Sequence, residues 1–159
     1  MARVHPIFAD QFCSRKDARF GFRRRSVRPA NGSKLIGMDH TPGFLKIVND
    51  AKSRIRQIDI AGYLKMREKG TPHLLIDVRE ESEFAAGHAA GAMHLGKGVI
   101  ERDIERTVPD PGTTLVLYCG GGFRSALSAD ALRQMGYTNV ISLDGGWRAI
   151  QASGLPLEK

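Results

Sequence analysis

Two short apolar runs constrain the fold of this chain more than any other feature of its sequence. Residues 74–78 and 114–118 are runs of mainly aliphatic residues, and neither alternates apolar with polar positions as a half-exposed strand does. Runs of this kind are typical of strands that are covered by helices on both faces of a sheet. The sequence therefore predicts a parallel sheet in the interior of an α/β fold.

Predicted helices alternate with predicted strands along most of the chain. Apolar residues at helical spacing, capping residues and glycines at helix ends predict helices over 43–55, 60–68, 81–86, 98–106, 125–135 and 145–152. Short apolar segments predict strands over 57–58, 74–78, 92–95, 114–118 and 140–143. We expect a small parallel sheet of about five strands flanked by helices on both faces, with its ligand site at the carboxyl ends of the strands.

The positive charge of the chain is concentrated at one end. The formal net charge is +7, yet residues 1–37 hold nine basic and two acidic residues, and the remaining 122 residues hold 15 of each. The predicted organisation is a basic, disordered extension over 1–37, an N-terminal helical segment over 38–56 and a folded domain over 57–159. Because the 122 residues after position 37 are neutral as a whole, nucleic-acid binding by the folded part has no electrostatic support.

The composition also predicts where the protein is located and which partners it lacks. No run approaches the roughly 18 apolar residues that span a bilayer, so we expect no membrane partner. Two cysteines, Cys13 and Cys119, favour a reduced compartment over a disulfide framework. The sequence has no apolar secretory segment, which predicts a cytoplasmic protein, and the basic extension leaves organellar targeting open. The five histidines are scattered without ligand spacing, so no metal site is expected.

The loop after the clearest predicted strand carries the candidate chemistry. It reads Tyr-Cys-Gly-Gly-Gly-Phe-Arg-Ser over residues 118–125. Successive glycines let backbone N–H groups turn inward and form an anion-binding concavity, to which the helix predicted from Ser125 adds its positive end. A thiolate at Cys119 is stabilised in such surroundings. The expected site contains Cys119 as nucleophile and, as binding residues, Gly120, Gly121, Gly122, Phe123, Arg124 and Ser125.

From residue 58 to residue 157 the sequence resembles a single domain of the rhodanese family of sulfurtransferases. The resemblance is carried by Leu-Ile-Asp-Val-Arg at 75–79 and the residues that follow it, by Cys-x-x-Gly-x-Arg-Ser at 119–125, and by Val-Ile-Ser-Leu-Asp-Gly-Gly-Trp at 140–147 with Gly-Leu-Pro at 154–156. These motifs occur in the family's order and spacing. The chain departs from the pattern at Ala89 and Ala90, where the family usually has Ile-Pro.

The resemblance implies a reaction, a fold and a set of partners. Rhodanese-like proteins move a sulfane sulfur from thiosulfate or a persulfide donor to a thiophilic acceptor such as cyanide or a thiol, without a metal or organic cofactor. Cys119 would carry the sulfur as a persulfide, the amides of residues 120–125 would hold it, and Arg124 would draw in the anionic donor. The implied partners are a small sulfur anion or a protein or thiol persulfide, and the oligomeric state stays open.

Three other functions compete with this interpretation. A cysteine-dependent phosphatase or arsenate reductase needs five residues between its cysteine and arginine, whereas four separate Cys119 from Arg124. A non-catalytic binding module typically loses the cysteine, which is present here. A persulfide relay that serves one dedicated protein shares every residue of the main hypothesis and differs only in its partner.

Two charged residues at the end of the first apolar run have two alternative roles. Asp77 and Arg79 follow a buried strand near the active end of the sheet, where they would support the site by positioning the loop. A structural ion pair, with Arg79 bound to Glu83, is the favoured alternative. Phe123 is expected either to form an apolar wall of the pocket or to pack beneath the loop.

Overall fold

The computed structural model describes residues 40–159 of the chain. The basic segment 1–37, and Cys13 with it, lies outside the described residues. The described part is an α/β fold whose central layer is a parallel sheet.

Seven strands form two sheets in the described residues. They are β1 (Arg56–Ile58), β2 (Leu74–Asp77), β3 (His88–Ala89), β4 (Met93–His94), β5 (Leu115–Tyr118), β6 (Val140–Leu143) and β7 (Leu157–Glu158). Five of them make a sheet in the order β1-β6-β5-β2-β4, and every neighbouring pair in it is parallel. This sheet confirms the predicted architecture. β3 and β7 pair separately as a two-stranded antiparallel ribbon.

The described chain has six helices, of which the first precedes β1 and the other five lie between strands. They are α1 (Pro42–Lys52), α2 (Ile60–Glu68), α3 (Glu81–Ala85), α4 (Ile100–Thr107), α5 (Phe123–Gln134) and α6 (Gly146–Ala152). Two of them begin at side-chain caps, because Thr41 accepts the N–H of Phe44 and Asp59 accepts the N–H of Gly62. These caps satisfy amides that have no partner inside the helix.

The core lies on both faces of the sheet. Along β5, Leu115 and Leu117 pack in a cluster with α4 and α5, whereas Val116 and Tyr118 pack in a second cluster with α2 and α6. This alternation is the period-two geometry of a strand buried on both sides. Cys119 continues the series and belongs to the α4–α5 face. α1 packs on the outside of α5.

The boundaries of three helices differ from the sequence prediction by two residues or more: those of α1, α5 and α4, which begins at Ile100 and not at residue 98. α1 ends at Lys52, because the Ser53 hydroxyl donates to the carbonyl of Asp50 and the chain then turns Ile55 into the core. α5 begins two residues earlier than predicted, at Phe123, since Gly122 adopts a left-handed conformation with φ of 93° and serves as its N-cap. The first turn of α5 therefore includes Phe123, Arg124 and Ser125.

The antiparallel ribbon of β3 and β7 was not predicted from the sequence. Its pairs are His88 with Glu158 and Ala89 with Leu157, and the N–H of Ala90 donates to the carbonyl of Pro156. A proline at position 90 has no N–H to make this bond. The departure from Ile-Pro at 89–90 thus coincides with an extra backbone hydrogen bond.

Candidate active site

Cys119 lies directly after β5, at the carboxyl end of a central strand of the sheet. Its side chain is 2% exposed, and its Sγ accepts a hydrogen bond from the N–H of Gly122 at 3.2 Å. The residue lines a cavity of about 500 Å³. The other lining residues are His40, Phe44, Glu83, Gly120, Gly121, Phe123, Arg124 and Arg148. The sulfur is therefore shielded within the fold yet borders a cavity large enough for a small ligand.

The backbone of the loop is held in place by the start of α6. The N–H of Trp147 donates to the carbonyl of Cys119 at 2.6 Å, and the N–H of Arg148 donates to the carbonyl of Gly120 at 3.3 Å. Gly146 makes this approach possible, because a Cβ at that position would overlap the Cys119 carbonyl. Both loop carbonyls thus accept hydrogen bonds from backbone amides of α6.

Several loop amides remain available as donors. Within residues 40–159, the N–H groups of Gly120 and Gly121 donate to no protein acceptor. The amides of the first turn of α5 have no intrahelical acceptor, as in any α-helix. Together with the amide of Gly122, these amides follow Cys119 directly in the sequence, and they can hold an anion or the terminal sulfur of a persulfide.

Ser125 contributes no hydroxyl to the cavity. Its side chain is buried and shares a 2.9 Å hydrogen bond with the hydroxyl of Ser142 on β6. This bond joins the first turn of α5 to the strand beside β5. Of the groups of Ser125, only the backbone N–H can therefore serve the predicted role of binding the substrate.

Arg124 lines the cavity but is engaged by acidic residues from the region of α3. Its guanidinium donates to both carboxylate oxygens of Glu83, at 2.6 and 2.9 Å, and lies 3.5 Å from Glu80. The hydrogen bonds to Glu83 raise the pKa of Arg124, and the same bonds lower the pKa of Glu83. The pairing of Glu83 with Arg79 that the sequence favoured is wrong, since Glu83 binds Arg124.

Asp77 and Arg79 form a buried ion pair with each other. The guanidinium of Arg79 donates to both oxygens of Asp77 at 2.7 to 3.0 Å and to the carbonyl of Gly87 at 2.7 Å. It also lies 4.5 Å from the centre of the Trp147 ring. Burial opposes the charge of Arg79, but its bonds to Asp77 outweigh that effect and raise its pKa. Neither residue lines the cavity. The pair lies beside Trp147 and beside Tyr118, the residue that precedes Cys119.

An aromatic wall closes one side of the cavity. The ring of Phe123 lies 4.3 Å from the ring of His40 and 6.2 Å from that of Phe44, measured between centroids. Lys52 lies 5.4 Å from the Phe123 centroid and binds Asp144 at 3.1 Å. Of the two alternatives for Phe123, the structure selects the pocket wall.

Arg148 also lines the cavity, and the sequence analysis did not identify it as a site residue. Its side chain is exposed, and its guanidinium lies 3.0 Å from the position that a Cβ on Gly121 would occupy. No acidic residue among residues 40–159 forms an ion pair with it. The sequence signal that could have identified Arg148 is its position, because it is a basic residue in the first turn of α6, which begins at the carboxyl end of the sheet.

Residues 40–159 contain neither a metal-binding cluster nor a helix suited to cross a membrane. No group of three or more His, Cys, Asp or Glu side chains in this part of the chain is arranged to hold a metal ion. No helix in the same part of the chain has both the length and the apolar character needed to cross a bilayer.

The site thus combines a buried cysteine at the carboxyl end of a central parallel strand with a glycine loop that leads into a helix, within an α/β fold. Residues 60–153 match the Rhodanese-like domain, which covers more than half of the chain. The chain therefore belongs to the rhodanese family of sulfurtransferases.

Similar proteins agree with this family and span most of the described fold. The thiosulfate sulfurtransferase GlpE of Pseudomonas entomophila is 34% identical over 100 residues, which cover 61% of this chain and 88% of that protein. The rhodanese-like domain of the Alr3790 protein from Anabaena sp is 28% identical with a TM-score of 0.59, covering 64% of this chain and 77% of that one.

The description of one structural relative names a different activity. A protein of unknown function from Rhodopseudomonas palustris CGA009, described as a possible tyrosine phosphatase, is 27% identical with a TM-score of 0.66. The match covers 77% of this chain and 99% of that protein.

Proposed function

We propose that this protein transfers a sulfane sulfur from thiosulfate, or from a persulfide donor, to a thiophilic acceptor through a persulfide on Cys119. The observation that carries the proposal is the position of Cys119. Its sulfur borders a cavity, accepts the Gly122 N–H, and lies in a loop whose Gly120 and Gly121 amides have no protein acceptor within residues 40–159.

The proposed reaction has two steps at one sulfur atom. The Cys119 thiolate attacks the outer sulfur of thiosulfate, the sulfur–sulfur bond of thiosulfate breaks, and sulfite leaves with the bonding pair. The product is a Cys119 persulfide anion, which the loop amides stabilise by hydrogen bonds. Cyanide or a thiolate then attacks the outer sulfur of the persulfide and restores the Cys119 thiolate. No metal or organic cofactor takes part in either step.

Two features of the cavity disfavour phosphate-ester hydrolysis. A cysteine-dependent phosphatase directs its arginine at the phosphate, whereas the guanidinium of Arg124 donates to Glu83. A phosphatase of this kind also needs a protonated acid that donates a proton to the leaving group. Glu83 is the acidic residue that lines the cavity, and Arg124 keeps its pKa below the ordinary value, so it is a carboxylate at neutral pH. The similarity to the Rhodopseudomonas protein thus concerns the fold more than this chemistry.

The proposal is tested by intact mass spectrometry after treatment with thiosulfate. We expect the full chain to gain one sulfur atom, to lose it on addition of cyanide, and to release one thiocyanate per sulfur. Cys119→Ser abolishes the gain, and Cys13→Ser, the matched control at the other cysteine, retains it. A sulfur that loads equally on the Cys119→Ser protein would contradict the proposed nucleophile.

The same preparation separates the competing functions. Release of phosphate from an aryl phosphate that depends on Cys119 would replace the sulfurtransferase proposal with a phosphatase. Failure of thiosulfate, combined with loading of Cys119 by a protein persulfide, would identify a relay for a dedicated partner. A protein that loads from neither donor would be a binding module.

A further inference from the structure

We propose that Arg148 is the cation that brings the anionic sulfur donor to Cys119, a proposal that rests on the sulfurtransferase reaction proposed above. Two guanidinium groups line the cavity, those of Arg124 and Arg148. The charge of Arg124 is offset by Glu83, which lines the same cavity, and by Glu80 nearby. Arg148 has no acidic partner among the described residues. It therefore supplies the uncompensated positive charge of the cavity.

Arg148 is held in a fixed relationship to the loop. Its backbone N–H donates to the carbonyl of Gly120, and its guanidinium lies beside Gly121. These two glycines follow Cys119 directly and have free amides in the described structure. One residue thus fixes the loop through its backbone and presents a positive charge over the same loop through its side chain.

The chemistry of the donor matches this arrangement. The thiolate must attack the outer sulfur of thiosulfate, so the sulfonate end of the donor points away from Cys119 and towards the opening of the cavity. Arg148 and Cys119 line the same cavity, and Arg148 is exposed to solvent whereas Cys119 is buried. A guanidinium binds sulfonate oxygens through its planar set of N–H donors, and it offsets the repulsion between a thiolate and an incoming dianion. The same cation faces sulfite as it leaves.

Arg124 has a different role under this proposal. Its bidentate bonds to Glu83 connect the first turn of α5 to α3, across 41 positions of the chain. Arg124 is thus a positioning residue for the loop. The expectation from sequence, that Arg124 draws in the donor, is replaced by Arg148 in that role.

The test compares two alkylating reagents of nearly equal size and different charge. Iodoacetate is an anion and iodoacetamide is neutral, and each forms a carbon–sulfur bond to Cys119 as iodide leaves with the bonding pair. The ratio of their rate constants at Cys119, read by peptide mapping so that Cys13 is resolved, measures the local attraction for an anion. We expect Arg148→Gln to lower this ratio about fivefold at low salt, as for loss of an exposed ion pair. Arg148→Lys retains most of it.

A matched control removes an arginine elsewhere. Arg106 on α4 is exposed, pairs only loosely with Asp103 at 3.6 Å and does not line the cavity. Arg106→Gln removes the same net charge and should leave the ratio unchanged. Equal ratios in Arg148→Gln and the wild-type protein would overturn the proposal. It would also be overturned by a Cys119 that reacts with neither reagent, since the cavity would then admit no donor.

Thiosulfate kinetics give the second readout and keep the two proposals separable. Arg148→Gln should raise KM for thiosulfate about fivefold with little change in kcat, and the difference should shrink as salt is added. If no variant loads sulfur but the alkylation ratio still depends on Arg148, the sulfurtransferase proposal fails and the anion-recruiting role of Arg148 stands. If Cys119 loads sulfur with the same KM in Arg148→Gln, the sulfurtransferase stands and the role of Arg148 fails.

Discussion

The backbone amide of Trp147 donates a 2.6 Å hydrogen bond to the carbonyl of Cys119. This bond ties the loop after β5 to the start of α6 without any side chain. It requires the two backbones to approach so closely that Gly146, the residue before Trp147, has no room for a Cβ. Gly146 therefore shapes the candidate active site, even though it contributes no chemical group.

Gly146→Ala should displace the loop at Cys119. The new methyl group would overlap the Cys119 carbonyl, and alanine would also have to adopt a φ of 51°, which costs about 1 to 2 kcal/mol by itself. We expect a loss of at least about 3 kcal/mol in the free energy of unfolding, measured by urea denaturation. The rate of sulfur loading by the remaining folded protein should also fall.

Gly154→Ala is the matched control for this substitution. Gly154 has a φ of 78°, and a Cβ there would meet no atom within 4 Å. Its alanine variant should lose only the conformational cost of about 1 to 2 kcal/mol and load sulfur normally. Equal losses in the two variants would show that the overlap at Cys119 has no energetic consequence.

The fold was largely predictable because its central strands are local apolar runs. β2 and β5 lie within the two segments that the sequence singled out, and the parallel sheet follows from their alternation with helices. The ribbon of β3 and β7 escaped prediction for a physical reason. Its strands have two residues each and are far apart in the chain, so the pairing of Ala89 with Leu157 leaves no local periodicity.

The site was predictable only where its residues are contiguous. Cys119 and the glycines after it stand together in the sequence, and their chemistry follows from residue type and from the strand that precedes them. Glu83 and Arg148 reach the same cavity from other elements. Each depends on long-range geometry, which is why the partner of Arg124 was missed and why the partner of Arg79 was assigned to Glu83 instead of Asp77.

The hydroxyls of Ser125 and Ser142 should stabilise the protein as a pair. Each is buried, and their 2.9 Å hydrogen bond satisfies both. Removing one hydroxyl leaves the other without its partner, so Ser125→Ala or Ser142→Ala should each cost about 1 to 2 kcal/mol. The double variant should cost clearly less than the sum of the two, as measured by urea denaturation in a double-mutant cycle. Strict additivity would mean that the bond does not couple α5 to β6.

The ion pair between Glu83 and Arg124 should make stability depend on acid pH. Hydrogen bonds from Arg124 lower the pKa of Glu83 in the folded protein, so the unfolded chain takes up this proton first as pH falls. The contribution is present above the ordinary carboxylate pKa of about 4.5 and is lost as pH falls through the lower folded value. Because Glu83 is partly exposed, we expect no more than about 0.5 kcal/mol.

The measurement is the difference in urea midpoint between about pH 6 and about pH 3.5. Glu83→Gln should lose less stability over this interval than the wild-type protein, while its side-chain oxygen can still accept the N–H of Glu80. Glu81→Gln is the matched control, since Glu81 is an exposed acidic residue of α3 that forms no ion pair within residues 40–159. A pH response that changes equally in both variants would assign the effect to the charge of the helix and not to the pair.

Asp77→Asn should be among the most destabilising substitutions of a charged residue in this protein. It leaves the guanidinium of Arg79, which is 3% exposed, without its carboxylate partner in the interior. Breaking a buried pair from one side costs about 3 kcal/mol or more, whereas Asp103→Asn, which breaks the exposed pair with Arg102, should cost less than about 1 kcal/mol. Adding Arg79→Met to Asp77→Asn should then cost far less than Arg79→Met alone, because the uncompensated charge is gone. If Asp77→Asn and Asp103→Asn destabilise the protein equally in urea denaturation, the buried pair is not what holds this end of the sheet together.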